Sequence, residues 1–509
     1  MRTNRGFIGV RGLGEAKKRR VAELLHRVFA EHRVGNVRAV DGYVDVLRLD
    51  HRHVDAHHLL GVALAQFTQR YEEALSHIDI AIALNGSAPP EFCHNRAVVL
   101  RKLGRLDEAI ACCDSALAQE PLYVDAMINR SVSLIWSSRP EEAERQAQAA
   151  LDVQPTSPEA ISVLVMARRW QLDYAGAMQV VDRGLAITPE DPLLKFQRSM
   201  TLLSMGDIAQ GFREYEGRFS YYRRKNHSPH VPSKLWQGQP LAGKRAGIHW
   251  EGGIGDMVQM ARFFPWAAKE ASFVYVAAER PLLRWFQGIP GITAGLIEDE
   301  LPPVDFWVMA MSLLGAHGVT LDTIPPPITP VHWRPIRRRR LRVGLCWQGG
   351  MRLWDPEAVN YDGRRSISLD IFARVLVPGV TYYSLSKDSR LEDRARFDEF
   401  RILDVGESFG DFLDTMEFMA NELDLVISVD TAIAHAAGTV GVPVWVLCAR
   451  PHDWRWLQGR DDSPWYPSAK VFRQATIGDW PTVIEQVRIE LAKLISAELA
   501  SAPSIGLAE

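Results

Sequence analysis

The sequence predicts an all-α helical-repeat solenoid followed by an α/β region of two parallel-sheet lobes, and three observations carry that expectation. Small residues recur at a fixed period through the first 220 or so positions, a Pro/Gly-marked stretch ends the period, and short β-rich runs then alternate with helical segments. The 509 residues suit roughly three domains at ~100–200 residues each. With 47% hydrophobic and 24% charged residues the chain falls in the ordinary globular range, which excludes disorder throughout. Lys+Arg number 59 against 62 Asp+Glu, a formal charge of -3, so nothing marks a polyelectrolyte and no nucleic-acid partner is expected. Five scattered cysteines, none in a CxxC spacing, point to a reducing compartment. Met1 to Arg20 is basic but lacks the apolar core of a signal peptide, and no apolar run approaches ~18 residues, so the expectation is a cytoplasmic chain with no membrane span.

The repeat comes first in chain order. Ala39, Ala74, Ala109, Ala143, Ala177 and Gly211 are spaced by 35, 35, 34, 34 and 34 residues. Seven positions after each stand Val46, Ala81, Ala116, Ala150, Gly184 and Arg218, and Pro121, Pro155 and Pro189 close three copies in register. Two helices pack closely only where small residues meet, and proline ends the second helix. This pattern resembles the tetratricopeptide repeat, most fully from Glu91 to Pro121. The resemblance implies six copies from about Ala16 to Phe219, with degenerate first and last copies as caps; the array reads as a concave surface for a polypeptide or another domain, the other reading being a spacer. Asn95 and Asn129 occupy the same position of consecutive copies. In the O-GlcNAc transferases, which this layout resembles, an asparagine ladder there grips the acceptor peptide; ordinary solvated asparagine is the other reading.

After Phe219 the period stops, and Pro229, Pro232, Gly238, Pro240 and Gly243 mark the junction. Strands are expected at Arg245 to Trp250, Phe273 to Ala278 and Asp305 to Met309, then at Leu341 to Trp347, Val380 to Leu385, Leu425 to Val429 and Val444 to Leu447. Pro325-Pro326-Pro327 and Arg337-Arg338-Arg339-Arg340 place a hinge between two Rossmann-like lobes, the arginine run reading as a solvated linker. The expected organisation is repeats over 16–225, a first lobe over 226–335, a second over 336–496 and a tail over 497–509.

Three clusters carry candidate chemistry. Glu251-Gly252-Gly253-Ile254-Gly255-Asp256 lies at a strand-to-helix turn, where Gly253 and Gly255 let backbone approach a ligand and helix N–H groups face an anion; Asp256 also reads as a plain helix cap. Ser428-Val429-Asp430-Thr431 leads from a buried strand into a helix start, with His435 four residues after Thr431 on the same face. Phosphate contact there competes with capping by Asp430 and core packing of His435. Trp454, Trp456, Trp465 and Tyr466 fall within thirteen residues and either stack on a sugar or base or pack as an aromatic loop.

Together with Phe212-Arg213-Glu214-Tyr215-Glu216, Leu235-Trp236-Gln237-Gly238 and Asp453-Trp454-Arg455-Trp456, these motifs look like the bacterial glycosyltransferases that join a tetratricopeptide array to a heptosyltransferase-like region. The resemblance implies a GT-B fold, the donor on the C-terminal lobe, the acceptor on the N-terminal one, and inverting transfer with neither metal nor cofactor, the nucleotide sugar being a substrate. It assigns Asp256 as general base and Asp430, Thr431 and His435 as donor phosphate and ribose contacts. Lys387 would line the donor site and Arg365 would neutralise the leaving diphosphate. Where the family has Gly-Asn-Pro this chain reads Trp347-Gln348-Gly349-Gly350, which makes Trp347 and Gln348 pocket candidates alongside Trp454, Trp465 and Tyr466. Where the family has Lys-Asn-Asp it reads Asn360-Tyr361-Asp362-Gly363-Arg364, with Arg364 the candidate for the lysine's charge. The partners implied are a nucleotide-sugar donor and a protein acceptor held by the repeats, for example a bacterial surface protein such as flagellin. Two other readings are an adaptor that binds the donor without turnover and a nucleotide-sugar epimerase.

Overall fold

The computed structural model describes residues 14–219, 234–335, 340–350, 362–387 and 389–501. Pro229, Pro232, Arg337–Arg339, Asn360, Tyr361 and the tail beyond Ser501 lie outside the described residues. The described chain divides into two compact units, one built of the helices up to Gln197 and the other of Arg198–Arg218 with the α/β region.

Helices come in pairs: α1 (Glu15–Arg33) with α2 (Ala39–Leu49), α3 (Val54–Ala63) with α4 (Tyr71–Asn85), α5 (Pro90–Lys102) with α6 (Leu106–Gln119), α7 (Val124–Trp136) with α8 (Pro140–Val153), α9 (Pro158–Trp170) with α10 (Tyr174–Ile187), and α11 (Pro192–Met205) with α12 (Ile208–Tyr215). The periodic small residues head the second helix of each pair, and Ala39, Ala74, Ala109, Ala143 and Ala177 are wholly buried. Turn chemistry repeats with the same period. The residue before the N-cap of the second helix in each of the last five pairs, namely Gln69, Gly104, Ser138, Leu172 and Gly206, has a positive φ, between 56° and 90°. Then comes either arginine or aspartate. Arg105 and Arg139 fork onto the glutamate three residues on, Glu108 and Glu142, whereas Asp173 and Asp207 accept from the N–H groups of Gly176 and Gln210.

Leu172, at φ +66°, is a non-glycine in a left-handed turn that its counterparts at 104 and 206 fill with glycine. That conformation costs roughly 1–2 kcal/mol for an L-residue, more than the ~0.5–1 kcal/mol of extra chain entropy that glycine brings. Leu172→Gly is therefore expected to raise unfolding stability by about 0.5–1 kcal/mol in urea titration. A fall would show that packing by the leucine outweighs the strain.

The last copy departs where the small-residue position becomes Arg218. This side chain is wholly buried within the second unit, forking onto Glu251 at 2.7 and 3.1 Å and reaching Glu216 at 2.8 Å and Ser312 Oγ at 2.7 Å.

The α/β unit holds two parallel sheets. In the first, β1 (Arg245–His249), β2 (Phe273–Ala278), β3 (Thr293–Leu296) and β4 (Phe306–Met309) lie in the order β3-β2-β1-β4. In the second, β5 (Leu341–Cys346), β6 (Val380–Ser384), β7 (Ile402–Asp404), β8 (Leu425–Val429), β9 (Val444–Cys448) and β10 (Ala469–Arg473) lie in the order β10-β9-β8-β5-β6-β7. Read in sequence this is the 3-2-1-4-5-6 order of a doubly wound sheet. Every expected strand is present to within a residue or so at its ends. The three that the sequence did not suggest, β3, β7 and β10, are all sheet edges without a continuous apolar run: β3 has no buried position, β7 has one, and the run of β10 is broken by Lys470 and Arg473. By contrast β8 and β9 are buried at every position. No helix among the described residues is long and apolar enough to cross a membrane.

Candidate functional site in the α/β unit

Open parallel sheets bind ligands outside the carboxyl ends of their strands, at the point where the strand order reverses. In the second sheet that point lies between β5 and β8, which are neighbours. Strand β5 runs into Trp347-Gln348-Gly349, and β8 runs into Asp430-Thr431 and then helix α14 (Ala432–Val440); α13 (Ile254–Met260) follows β1 in the first sheet. There the reversal lies between β1 and β4. Glu251 ties those two ends together, since its Oε2 accepts from Met311 N–H at 2.9 Å while the carboxylate receives Arg218.

Asp256 sits in the first turn of α13. Its Oδ2 accepts the Gly253 N–H at 2.6 Å, which makes it part of the cap, and its Oδ1 accepts Arg455 Nη2 at 2.5 Å. Gly255 faces α14: a Cβ there would lie 2.8 Å from His435 Cδ2 and 3.2 Å from Ala432 Cα. The glycine thus lets the two helices meet backbone to side chain.

Arg365 spans the reversal point of the second sheet, donating to the Asp430 carbonyl at 2.7 Å and to Asp362 Oδ1 at 2.6 Å. Thr431 occupies the N-cap position of α14 without a side-chain cap; its hydroxyl lies 3.0 Å from Ser428 Oγ instead. Capping by Asp430, one of the two sequence readings, is therefore replaced by a helix start whose Thr431 hydroxyl is turned inward. Burial, with the Asp453 charge second, pushes the Asp430 carboxyl up, while Arg365 and Arg455 act against that. His435 is buried, its Nδ1 2.9 Å from Tyr466 Oη and its Nε2 4.0 Å from Asp430 Oδ1. Burial first, then Arg455, Arg262 and Arg365, hold its imidazole far below the ordinary histidine range, so it is neutral.

Asp256, Asp430 and Arg455 thus form one electrostatic cluster, and Arg365, Thr431 and His435 surround it. The other expected site residues are exposed or packed into the core: Tyr466, Trp454 and Gln348 border the cluster from within the packing. Lys387 is exposed and donates to the carbonyls of Phe409 and Gly410 at 3.1 and 3.4 Å. Trp347, expected at a pocket, is wholly buried among Phe372 and Phe397, with its indole N–H on Asp393 at 3.0 Å. Gln348 is buried, and its carbonyl accepts from the Cys346 thiol. Trp454, Trp465 and Tyr466 take the packed-loop reading: all three are buried, Trp454 edge-on to Trp465 and to Phe212. Tyr466 lies over Gly438 of α14, where an added Cβ would overlap the ring.

In the helical unit, Asn95 and Asn129 spend amide N–H groups on the preceding pair. Asn95 donates to His58 Nε2 at 2.9 Å and Asn129 to His94 Nδ1 at 3.0 Å. Burial pushes His58 down to about 4, which keeps it an acceptor.

Sequence reasoning missed Arg455, Gln259, Arg262 and Asp362. Arg455 Nε donates to Gln259 Oε1 at 2.6 Å and its Nη1 to Asp453 at 2.8 Å, and Arg262 Nη1 donates to the Trp465 carbonyl at 3.1 Å. A signal existed, because Asp256, Gln259 and Arg262 follow one another at intervals of three and so share a helical face within an otherwise apolar run. Among the described residues no group of three or more His, Cys, Asp or Glu could hold a metal ion.

A tetratricopeptide-repeat family model matches residues 90–123. The chain is 26% identical over 446 residues to protein FlbA of Caulobacter vibrioides, an alignment covering 79% of this chain and 72% of the relative. Among solved structures, it is similar to a tetratricopeptide repeat protein from Parabacteroides merdae, at 18% identity over 41% of this chain and 80% of that one, with a TM-score of 0.35. It is also similar to YrrB, a tetratricopeptide protein with an unusual peptide-binding site, at 19% identity over 35% and 96% of the two chains, with a TM-score of 0.30. The N-terminal part is a tetratricopeptide solenoid, and the C-terminal part is α/β with parallel sheets.

Proposed function

We propose that this chain is a GT-B glycosyltransferase whose α/β unit moves a sugar from a nucleotide-diphosphate donor to a polypeptide recruited by the solenoid, with inversion and without a metal. The observation that carries the reading is the convergence of α13 and α14 at Gly255, which brings Asp256 into one charged cluster with the Arg365, Asp430 and Thr431 end of the second sheet. In the reaction, an acceptor hydroxyl oxygen attacks the anomeric carbon opposite the nucleotide, the bond from that carbon to the diphosphate oxygen breaks with its electron pair leaving on the phosphate, and Asp256 takes the hydroxyl proton. Arg365 and the N-terminal N–H groups of α14 would receive the developing phosphate charge. The polypeptide acceptor, for example a bacterial surface protein such as flagellin, is suggested by the concave surfaces that solenoids offer.

One observation favours a second reading. Each Asp256 oxygen already holds a donor, Gly253 N–H or Arg455, as a structural carboxylate would in an adaptor that binds nucleotide sugar without turnover.

Purified chain incubated in excess EDTA with UDP-, GDP-, ADP- and dTDP-sugars, scored for free nucleotide and for mass added to candidate acceptor proteins, separates these readings. Release of nucleotide with acceptor gain is the expected result, and Thr431→Ala with His435→Ala should weaken binding of the matching nucleoside diphosphate by calorimetry. Binding without release supports the adaptor, an isomerised sugar the epimerase, and turnover only after adding Mg²⁺ or Mn²⁺ a different transferase chemistry.

A further inference from the structure

We infer that Arg455 is the positioning residue for Asp256: from the lobe of the second sheet it fixes the orientation of a carboxylate carried by the lobe of the first, so that base and donor end are set together. The inference rests on the glycosyltransferase reading and adds to it a residue that neither touches the reacting atoms nor belongs to the donor set.

The geometry is that of a guanidinium with every edge occupied. Nε reaches Gln259 Oε1 at 2.6 Å, Nη1 reaches Asp453 Oδ1 at 2.8 Å, and Nη2 reaches Asp256 Oδ1 at 2.5 Å with Met311 Sδ 3.9 Å away. The plane lies over the Trp454 ring, 4.4 Å from its centroid, and the side chain is only 9% exposed. Its own backbone is pinned as well, because Asp453 Oδ1 also accepts the Arg455 N–H at 3.0 Å. Burial opposes the charge, yet Asp453 and Asp256 hold the guanidinium above its ordinary range. An arginine so held has no rotation left to give, and the planar fork transmits that rigidity to what it binds.

An ionised carboxylate offers about four lone-pair positions. On Asp256 the Gly253 N–H takes one on Oδ2 and Arg455 takes one on Oδ1. Asp256 therefore keeps acceptor capacity on each oxygen, and Arg455 decides where it points. Two contacts from two lobes leave it one direction for an acceptor hydroxyl, which is the condition for a bound geometry close to reaction. Lysine preserves the charge but is a point donor and cannot reach Gln259, Asp453 and Asp256 together.

The test is a double-mutant cycle on the full chain with the nucleotide sugar that wild type turns over fastest. Arg455→Lys is expected to lower kcat by about 10²-fold with donor KM little changed, and to lower the thermal midpoint as well, because it leaves buried partners of the guanidinium unpaired. Added to Asp256→Asn it is expected to lower kcat no further, because it acts through that carboxylate. Gln259→Met, which removes the Nε acceptor and leaves the charge, gives a smaller loss with the same non-additivity and serves if Arg455→Lys does not fold. Losses that add in the double variant, or an unchanged kcat in Arg455→Lys, overturn the inference alone. Full activity of Asp256→Asn overturns both the base assignment and the role of Arg455, and a wild type silent on every donor overturns the glycosyltransferase reading beneath them.

Discussion

On the glycosyltransferase reading proposed above, Asp256→Asn is expected to lower sugar transfer by about 10²–10⁴-fold, the ordinary worth of a general base, while nucleoside diphosphate affinity stays near that of wild type. The split follows from where the carboxylate is tied. Its contacts run to Gly253 and Arg455, whereas the proposed donor end lies at Arg365, Asp362, Asp430 and Thr431. Asparagine keeps a side-chain oxygen that can accept the Gly253 N–H, so the start of α13 survives. The guanidinium of Arg455, left beside an uncharged amide, still has the carboxylate of Asp453 at 2.8 Å. Steady-state kinetics beside calorimetry of nucleotide binding and a thermal melt give the three numbers needed. Transfer at the wild-type rate would make Asp256 a cap and an ion-pair partner only.

The parts of this molecule that could be read from sequence are those whose cause is local. A period of small residues specifies helix pairs because each close helix contact must find an alanine or glycine, and every periodic alanine from Ala39 to Ala177 is wholly buried. Buried parallel strands announce themselves as continuous apolar runs, as Val444–Cys448 does, while edge strands such as Ile402–Asp404 have one buried position and no run to read. What stayed hidden arises only when distant segments meet. The Arg455 to Asp256 pair joins positions 199 residues apart, and the burial of Arg218 depends on Glu251 and Ser312, 33 and 94 residues further on. Trp347 differs for a related reason: only its place opposite the family's Gly-Asn-Pro turn makes it a pocket candidate, but Phe372 and Phe397 close over this indole from segments that carry no motif. The aromatic cluster from Trp454 to Tyr466 was visible as composition, yet composition does not tell a stacking platform from a packed loop, and here burial decides for the loop.

Gly255→Val is expected to destabilise the α/β unit by about 1–3 kcal/mol and to lower transfer by about 10²-fold, whereas Gly253→Ser, two residues away, is expected to change stability by no more than about 0.5 kcal/mol. The contrast comes from what each added side chain would meet. At Gly253, with φ -95°, a Cβ has only Asp256 Oδ2 within reach at 3.6 Å, and serine is at home in an N-cap. At Gly255 a Cβ alone would lie 2.8 Å from His435 Cδ2 and 3.2 Å from the Ala432 backbone, before valine adds two methyls. Neither neighbour can step aside. His435 is held against Tyr466 Oη at 2.9 Å with the Trp456 ring 5.5 Å away, and Tyr466 is itself pressed on Gly438. The strain must therefore move α13 away from α14, and with it Asp256, from a site where a displacement of about 1 Å is enough to cost ~10²-fold in rate. Urea denaturation and initial-rate kinetics on the two variants decide the matter. Wild-type stability and turnover in Gly255→Val would show that the close approach of the two helices serves neither the fold nor the reaction.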